Sequence, residues 1–170
     1  MRKNFMVSNY LSDIGYSVSN TNGRFGVEIE VEPSAPYRAE LPNNWRAVPD
    51  GSLRNNGIEF VMRSPASYVD TVSQVSTLTK QFNSNNTVDY TVRAGVHVHV
   101  NCQKLSIEQL FVFISAYISI ENLLVDYCGD DRVGNLFCLR ACDAEGLVQA
   151  IYSSLNSKSF STRFVSSDFK

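Results

Sequence analysis

At 170 residues, 44% of them hydrophobic and 19% charged, the chain is long enough for one domain whose core takes roughly two thirds of the unfolded surface out of water. Seventeen acids against fifteen bases leave a formal net charge of −2, which gives no electrostatic footprint for nucleic acid and no charged disordered tail. The N-terminus MRKNFMVSNYLSD lacks the unbroken apolar run of a signal peptide, so secretion is not expected.

A membrane is not an expected partner either. The most apolar stretch, LFVFISAYISIENLLV at 110–125, is shorter than the roughly 20 residues of a span, and Glu121 and Asn122 interrupt it, so it reads as a buried helix. The four cysteines, Cys102, Cys128, Cys138 and Cys142, form no C-x-x-C pair, which predicts reduced thiols in a cytoplasmic setting.

Residues 1–23 read as an N-terminal extension of a single domain covering 1–170. The first strand is RFGVEIEVE (24–32), whose strict alternation points Val27, Ile29 and Val31 one way and Glu28, Glu30 and Glu32 the other. Pro33 ends it, and a polar, proline-bearing segment leads to WRAVPDGSL (45–53), where Pro49-Asp50-Gly51 predicts a turn. A second strand follows at GIEFVM (57–62). Ser64-Pro65 predicts a helix start, with the helix running to about Phe82 and NSNN (83–86) closing it.

TVRAGVHVHVN (91–101) predicts a third strand, and Ser106-Ile107-Glu108-Gln109 has the form of a capping box opening the apolar helix. Asp143 is placed to cap a further helix, DAEGLVQAIYSSLN. The tail SFSTRFVSSDFK has strand-like residues.

The chemistry is concentrated in the strands. Glu28 and Glu30 share a face at the two-residue repeat of about 6.6 Å, a pattern that by itself is common on a solvated sheet surface. His97 and His99, the only histidines, also share one face, with valines on the other, which suits a ligand pair or an acid–base site as well as an ordinary strand surface. If the three strands share a sheet, their polar faces collect Glu28, Glu30, Glu59 and the histidines, with Asp50 on the turn before the second strand. So many like charges repel unless a cation holds them together. A carboxylate-rich site without thiolates favours Mg2+ or Mn2+, and Mg2+ typically bridges carboxylates to nucleotide phosphates, which points to phosphoryl chemistry.

Four blocks, GVEIEVE, WRAVPDGSL, GIEFV and RAGVHVHVN, occur in that order over residues 24–101, and together the segment resembles the amidoligase family. These carboxylate–amine ligases are related to glutamate–cysteine ligase and glutamine synthetase and occur in phage and bacterial genomes. DRVGNLFC (131–138) continues the similarity more weakly.

The resemblance implies an α+β fold, a curved antiparallel sheet with helices packed on one face, whose concave side binds ATP and two or three Mg2+ or Mn2+ ions. It implies Glu28 and Glu30 as metal ligands, Asp50 and Glu59 as a second set, and one of His97 and His99 as a further ligand. The two histidines are not ranked by sequence, so both stand as metal- and cofactor-binding candidates. Arg93 and Arg132 become candidates for phosphate contact in catalysis.

The implied reaction phosphorylates a carboxylate with ATP and lets an amine displace the phosphate, on a peptide, protein or cell-wall substrate. Members of the family also carry a later G-T-x-E-x-R strand that this sequence, ending at Lys170, lacks. The chain is therefore expected to be either a fragment of a longer ligase in the host cytoplasm of a phage or a reduced form without catalysis. The latter would serve as a structural or interaction module, for example in a virus particle, and homo-oligomers or virion assembly stay open. A third class, a metal-dependent hydrolase or oxygenase built on H-x-H, fits less well: a third histidine is missing, and the next acid, Glu108, lies in the capping box.

Overall fold

The computed structural model describes residues 5–33, 40–85, 88–89, 91–135 and 140–156. Two compact units divide the chain, Met1–Ile107 and Glu108–Lys170. The first is organised around strand β1 (Phe25–Pro33), because both of its edges are paired. On one side lies β3 (Ile58–Met62) and beyond it β2 (Trp45–Pro49); on the other, β5 (Val96–Val100) pairs the first part of β1 and the short β4 (Val88–Asp89) its end. Every pairing is antiparallel. With the helices described below, this makes the chain α+β.

Register follows from the alternation in β1. Ile29 stands opposite Phe60 and Val31 opposite Ile58, while Trp45 stands opposite Met62, so one face of three adjacent strands is apolar. Helix α2 (Tyr68–Asn85) covers it with Leu78 and Phe82. Trp45, Phe60 and Leu78 are fully buried, and the Phe60 and Phe82 rings meet at 4.9 Å in a tilted pair. Burial of each such side chain contributes about 1.5–3 kcal/mol.

Several boundaries differ from the sequence reading. Helix α2 starts at Tyr68, not at Ser64-Pro65, because Ser67 supplies the cap: its Oγ accepts from Asp70 N–H at 3.2 Å and donates to the Asp70 carboxylate at 2.6 Å. The helix continues through Asn83 to Asn85. The histidine strand begins only at Val96, since Ala94 N–H bonds back to Thr91 O and Oγ1, both at 3.2 Å, and holds 91–94 in a turn. The sequence reading missed β2, an edge strand with only Trp45 buried and Pro49 at its end, and the two-residue β4. It also missed α1 (Val7–Asp13), which is fastened by Val7 N–H to Leu105 O and Ser8 N–H to Gln103 O. Glu32 leaves the polar set: it is buried and accepts the Arg54 N–H at 2.6 Å.

In the second unit, α3 (Ile107–Cys128) begins directly after Ser106, as the capping pattern predicts. It is not the buried helix expected. Only Phe111 and Glu121 are buried, whereas Val112, Phe113, Leu123 and Tyr127 are exposed. Its length and composition alone would suffice to cross a membrane. Glu121, which in the sequence looks like an interruption, is the anchor: its Oε1 accepts Ala141 N–H at 2.7 Å.

Helix α4 (Glu145–Asn156) starts after a 3-10 turn, Ala141–Asp143. Asp143, in that turn, forms a two-pronged ion pair with Arg140, both contacts at 3.0 Å. Cys102 and Cys128 are free thiols. Cys138, part of the 131–138 block and the 159–170 tail lie outside the described residues.

Candidate metal centre

The polar face of the sheet brings three of the four sequence blocks together by hydrogen-bonded register. Glu28 on β1 stands opposite His97 on β5; Glu30 stands opposite Glu59 on β3; Gly26 stands opposite His99. Directly opposed carboxylates such as Glu30 and Glu59 are unfavourable in a sheet unless something positive lies between or beside them.

Two imidazoles supply part of that charge. His97 Nδ1 lies 3.6 Å from Glu28 Oε2 and its Nε2 3.7 Å from Glu30 Oε1, so the ring sits between the two β1 carboxylates. His99 Nε2 lies 3.1 Å from Glu28 Oε2. One donor atom each from Glu28, Glu59 and His97 falls within 4.8 Å of the others, a spacing that suits a common ion. His99 stands outside this trio, so the two histidines that sequence left equivalent occupy different places.

Asp50 lies on the turn between β2 and β3. Its Oδ1 accepts Ser52 N–H and Ser52 Oγ–H, both at 2.8 Å, and these bonds hold its carboxyl below the usual range. The turn is closed by Asp50 N–H to Gly57 O at 3.0 Å, and a Cβ on Gly57 would collide with the Leu53 side chain. Arg93 donates from Nη1 to Ser52 O at 3.0 Å, which ties the 91–95 turn to the Asp50 turn. Arg132 belongs to the second unit, in the 3-10 turn Asp130–Arg132.

Electrostatics expose an imbalance. Burial raises the Glu59 pKa, and the charges of Glu28, Asp50 and Glu30 raise it further, with only His97 opposing. For Glu28, burial raises the pKa, but the hydrogen bonds and charges of His99 and His97 together outweigh it and bring the carboxyl below its ordinary 4.5.

No family model, no curated protein and no solved structure matches the chain. The site's own chemistry must therefore carry the reading. Two carboxylates with one imidazole and no thiolate suit Mg2+ and Mn2+, and the added nitrogen favours Mn2+ of the two. The residues fit such an ion, because the unfavourable charge felt by Glu59 is what a bound cation would relieve.

One residue that sequence reasoning passed over shapes the site. Gly95 O accepts Glu30 N–H at 2.9 Å, and a Cβ at Gly95 would sit 3.2 Å from Glu30 Oε2 and 3.4 Å from His97 Nε2. Both atoms end flexible side chains, so Gly95→Ala is expected to change metal-free stability by no more than about 0.5 kcal/mol. Mn2+ affinity should nonetheless fall roughly 10- to 100-fold, the range seen when the groups that orient metal ligands are altered; calorimetric titration of both proteins measures it.

The carboxylates also set a pH dependence. Because Glu59 holds its proton more tightly folded than unfolded, the metal-free protein loses stability as pH rises above 4.5 through the elevated folded value. Glu28 acts oppositely, its contribution being lost as pH falls below 4.5. Glu59→Gln removes the first effect alone, so its stability relative to the parent should grow as pH is raised from 4.5, a difference read from paired urea melts.

Proposed function

We propose that the protein is an ATP- and Mg2+- or Mn2+-dependent carboxylate–amine ligase of amidoligase type, or the part of one that bears the metal face, acting in the cytoplasm. The observation that carries this reading is the convergence of Glu28, Glu30, Glu59 and His97 from three neighbouring strands onto one face of an antiparallel sheet. The four blocks that resemble the family provide the metal donors, the Asp50 turn and the histidine strand. The curved, ATP-binding form of the sheet belongs to the same proposal.

In the proposed reaction an oxygen of the substrate carboxylate attacks the γ-phosphorus of ATP, and ADP leaves. An amine nitrogen then attacks the acyl carbon, the C–O bond to phosphate breaks, and the amide forms with release of inorganic phosphate and of one amine proton to solvent. Divalent ions supply charge neutralisation between carboxylates and phosphates. Glu28, Glu59 and His97 would hold such an ion, with Glu30 beside His97, and Asp50 would add negative charge from its fixed turn. His99, with its side chain 62% exposed and bonded to Glu28, is free to orient phosphate or substrate. No covalent protein nucleophile is required; positioning does most of the work. The substrate class proposed is a peptide, a protein or a cell-wall component.

The test is binding of a non-hydrolysable ATP analogue to the full chain. We expect binding that needs Mn2+ or Mg2+ and is lost in Glu28→Ala; metal-independent binding, or none, overturns the proposal. A second reading has one observation in its favour. Val96, Val98 and Val100 lie on the face that α2 covers elsewhere, yet are 61%, 60% and 44% exposed, as suits a non-catalytic module that assembles with other chains. A stable oligomer that gives no thermal shift with nucleotide and Mn2+ would favour that reading.

A further inference from the structure

A cleft of about 290 Å³ adjoins the ligand set within the first unit. Arg24, Gly26, Glu28 and His99 are among the residues that line it. Gly26 and Glu28 share one face of β1, and Arg24 stands immediately before that strand begins at Phe25.

The bareness of Gly26 has no other structural reason. Its backbone is not left-handed, and an added Cβ would meet only His99 Cβ, at an ordinary 3.8 Å. What the missing side chain does is leave the floor of the cleft open. The wall is fixed beforehand: Asn101 Nδ2 donates to Ser19 Oγ at 3.0 Å and Thr21 Oγ1 at 2.9 Å, while its Oδ1 accepts Gln103 N–H at 3.0 Å. Arg24 is exposed and lines the cleft, and among the described residues its guanidinium has neither hydrogen bond nor ion pair.

We propose that this cleft binds the oxyanion end of a small molecule, with Arg24 as its recognition residue and the space over Gly26 as the seat of the chain that leads to His99 and Glu28. A planar guanidinium takes a carboxylate or a phosphate by paired donors. The volume is at the small end for ligand sites, which suits a group the size of an amino-acid side chain or a phosphate better than a whole nucleotide. Naming that molecule as the ligase's carboxylate substrate or its phosphate donor rests on the function proposed above; the anion site itself does not.

The experiment titrates the full chain calorimetrically with glutarate and with inorganic phosphate, each with and without Mn2+, and repeats this for Arg24→Gln, Arg24→Lys and Gly26→Val. Far-ultraviolet circular dichroism and melting temperature check folding. The parent should bind at least one probe, Arg24→Gln should weaken that probe roughly tenfold or more, the usual effect of losing a charge-assisted hydrogen bond, and Arg24→Lys should restore part of it. Gly26→Val should cause a similar loss, and all variants should keep the parent's Mn2+ affinity within about twofold.

The probe that loses affinity assigns the source, glutarate for a carboxylate and phosphate for a nucleotide. Binding of neither probe to the parent, or unchanged affinities in Arg24→Gln, overturns the inference. Failure of the parent to bind Mn2+ would instead sink the metal-centre reading, while the metal-free titrations still decide the cleft.

Discussion

Mn2+ at about a hundred times its dissociation constant is expected to raise the melting temperature of this protein by roughly 10 °C, and Glu59→Gln to abolish that rise. Binding to the folded state alone at that ratio contributes about 2.7 kcal/mol, and domains of this size gain a few degrees for each kcal/mol. Glu59 is the right residue to change because its carboxylate suffers most from its neighbours: Glu28, Asp50 and Glu30 all push its pKa up. Its replacement therefore separates two effects that most ligand substitutions merge. Without metal the glutamine variant should melt slightly higher than the parent near neutral pH; with metal it should melt lower. A variant that gains as much from Mn2+ as the parent would show that Glu59 is not a ligand.

Phe60→Ala is expected to cost about 3–5 kcal/mol, a large share of the roughly 5–15 kcal/mol that holds a domain of this kind together. Phe60 is fully buried, stands opposite Ile29 and Ala47 on the two flanking strands, and packs on Phe82 of α2. Its neighbour in sequence is Glu59, so the cavity opens directly behind the site. Urea denaturation measures the loss, and a change below about 1 kcal/mol would mean that α2 does not pack on the sheet as described. Mn2+ is expected to recover part of the lost stability, because the proposed ligands come together only in the folded register.

The face assignments in β1, β3 and β5 were legible in the sequence because a period of two leaves no freedom: once Glu28 is on the polar face, Glu30 is too, and His97 and His99 follow through pairing. Glu32 broke the pattern because a local need, the Arg54 N–H, captured it. Periodicity also told nothing about coverage. The β5 valines alternate as well as those of β1, yet remain exposed, since α2 reaches only the neighbouring strands.

Within the site, sequence could not separate His97 from His99; the distinction is one of cross-strand partner, Glu28 for the first and Gly26 for the second. Arg24 and Gly95 were invisible as contributors for a related reason. Each stands just before a strand and matters through residues distant in sequence, which only the pairing of β1 with β5 brings near.

That the chain's two histidines lie side by side has a spectroscopic consequence. Since the sequence holds no other imidazole, the Cε1–H resonances of His97 and His99, downfield of the other ring protons once the amides are exchanged into D2O, form a pair of their own, one ring between the carboxylates and the other lining the cleft. A one-dimensional proton spectrum of the unlabelled protein thus carries two built-in reporters. Paramagnetic broadening reads out the ion through both rings, and a diamagnetic anion that shifts His99 more than His97 reads out the cleft in the same tube.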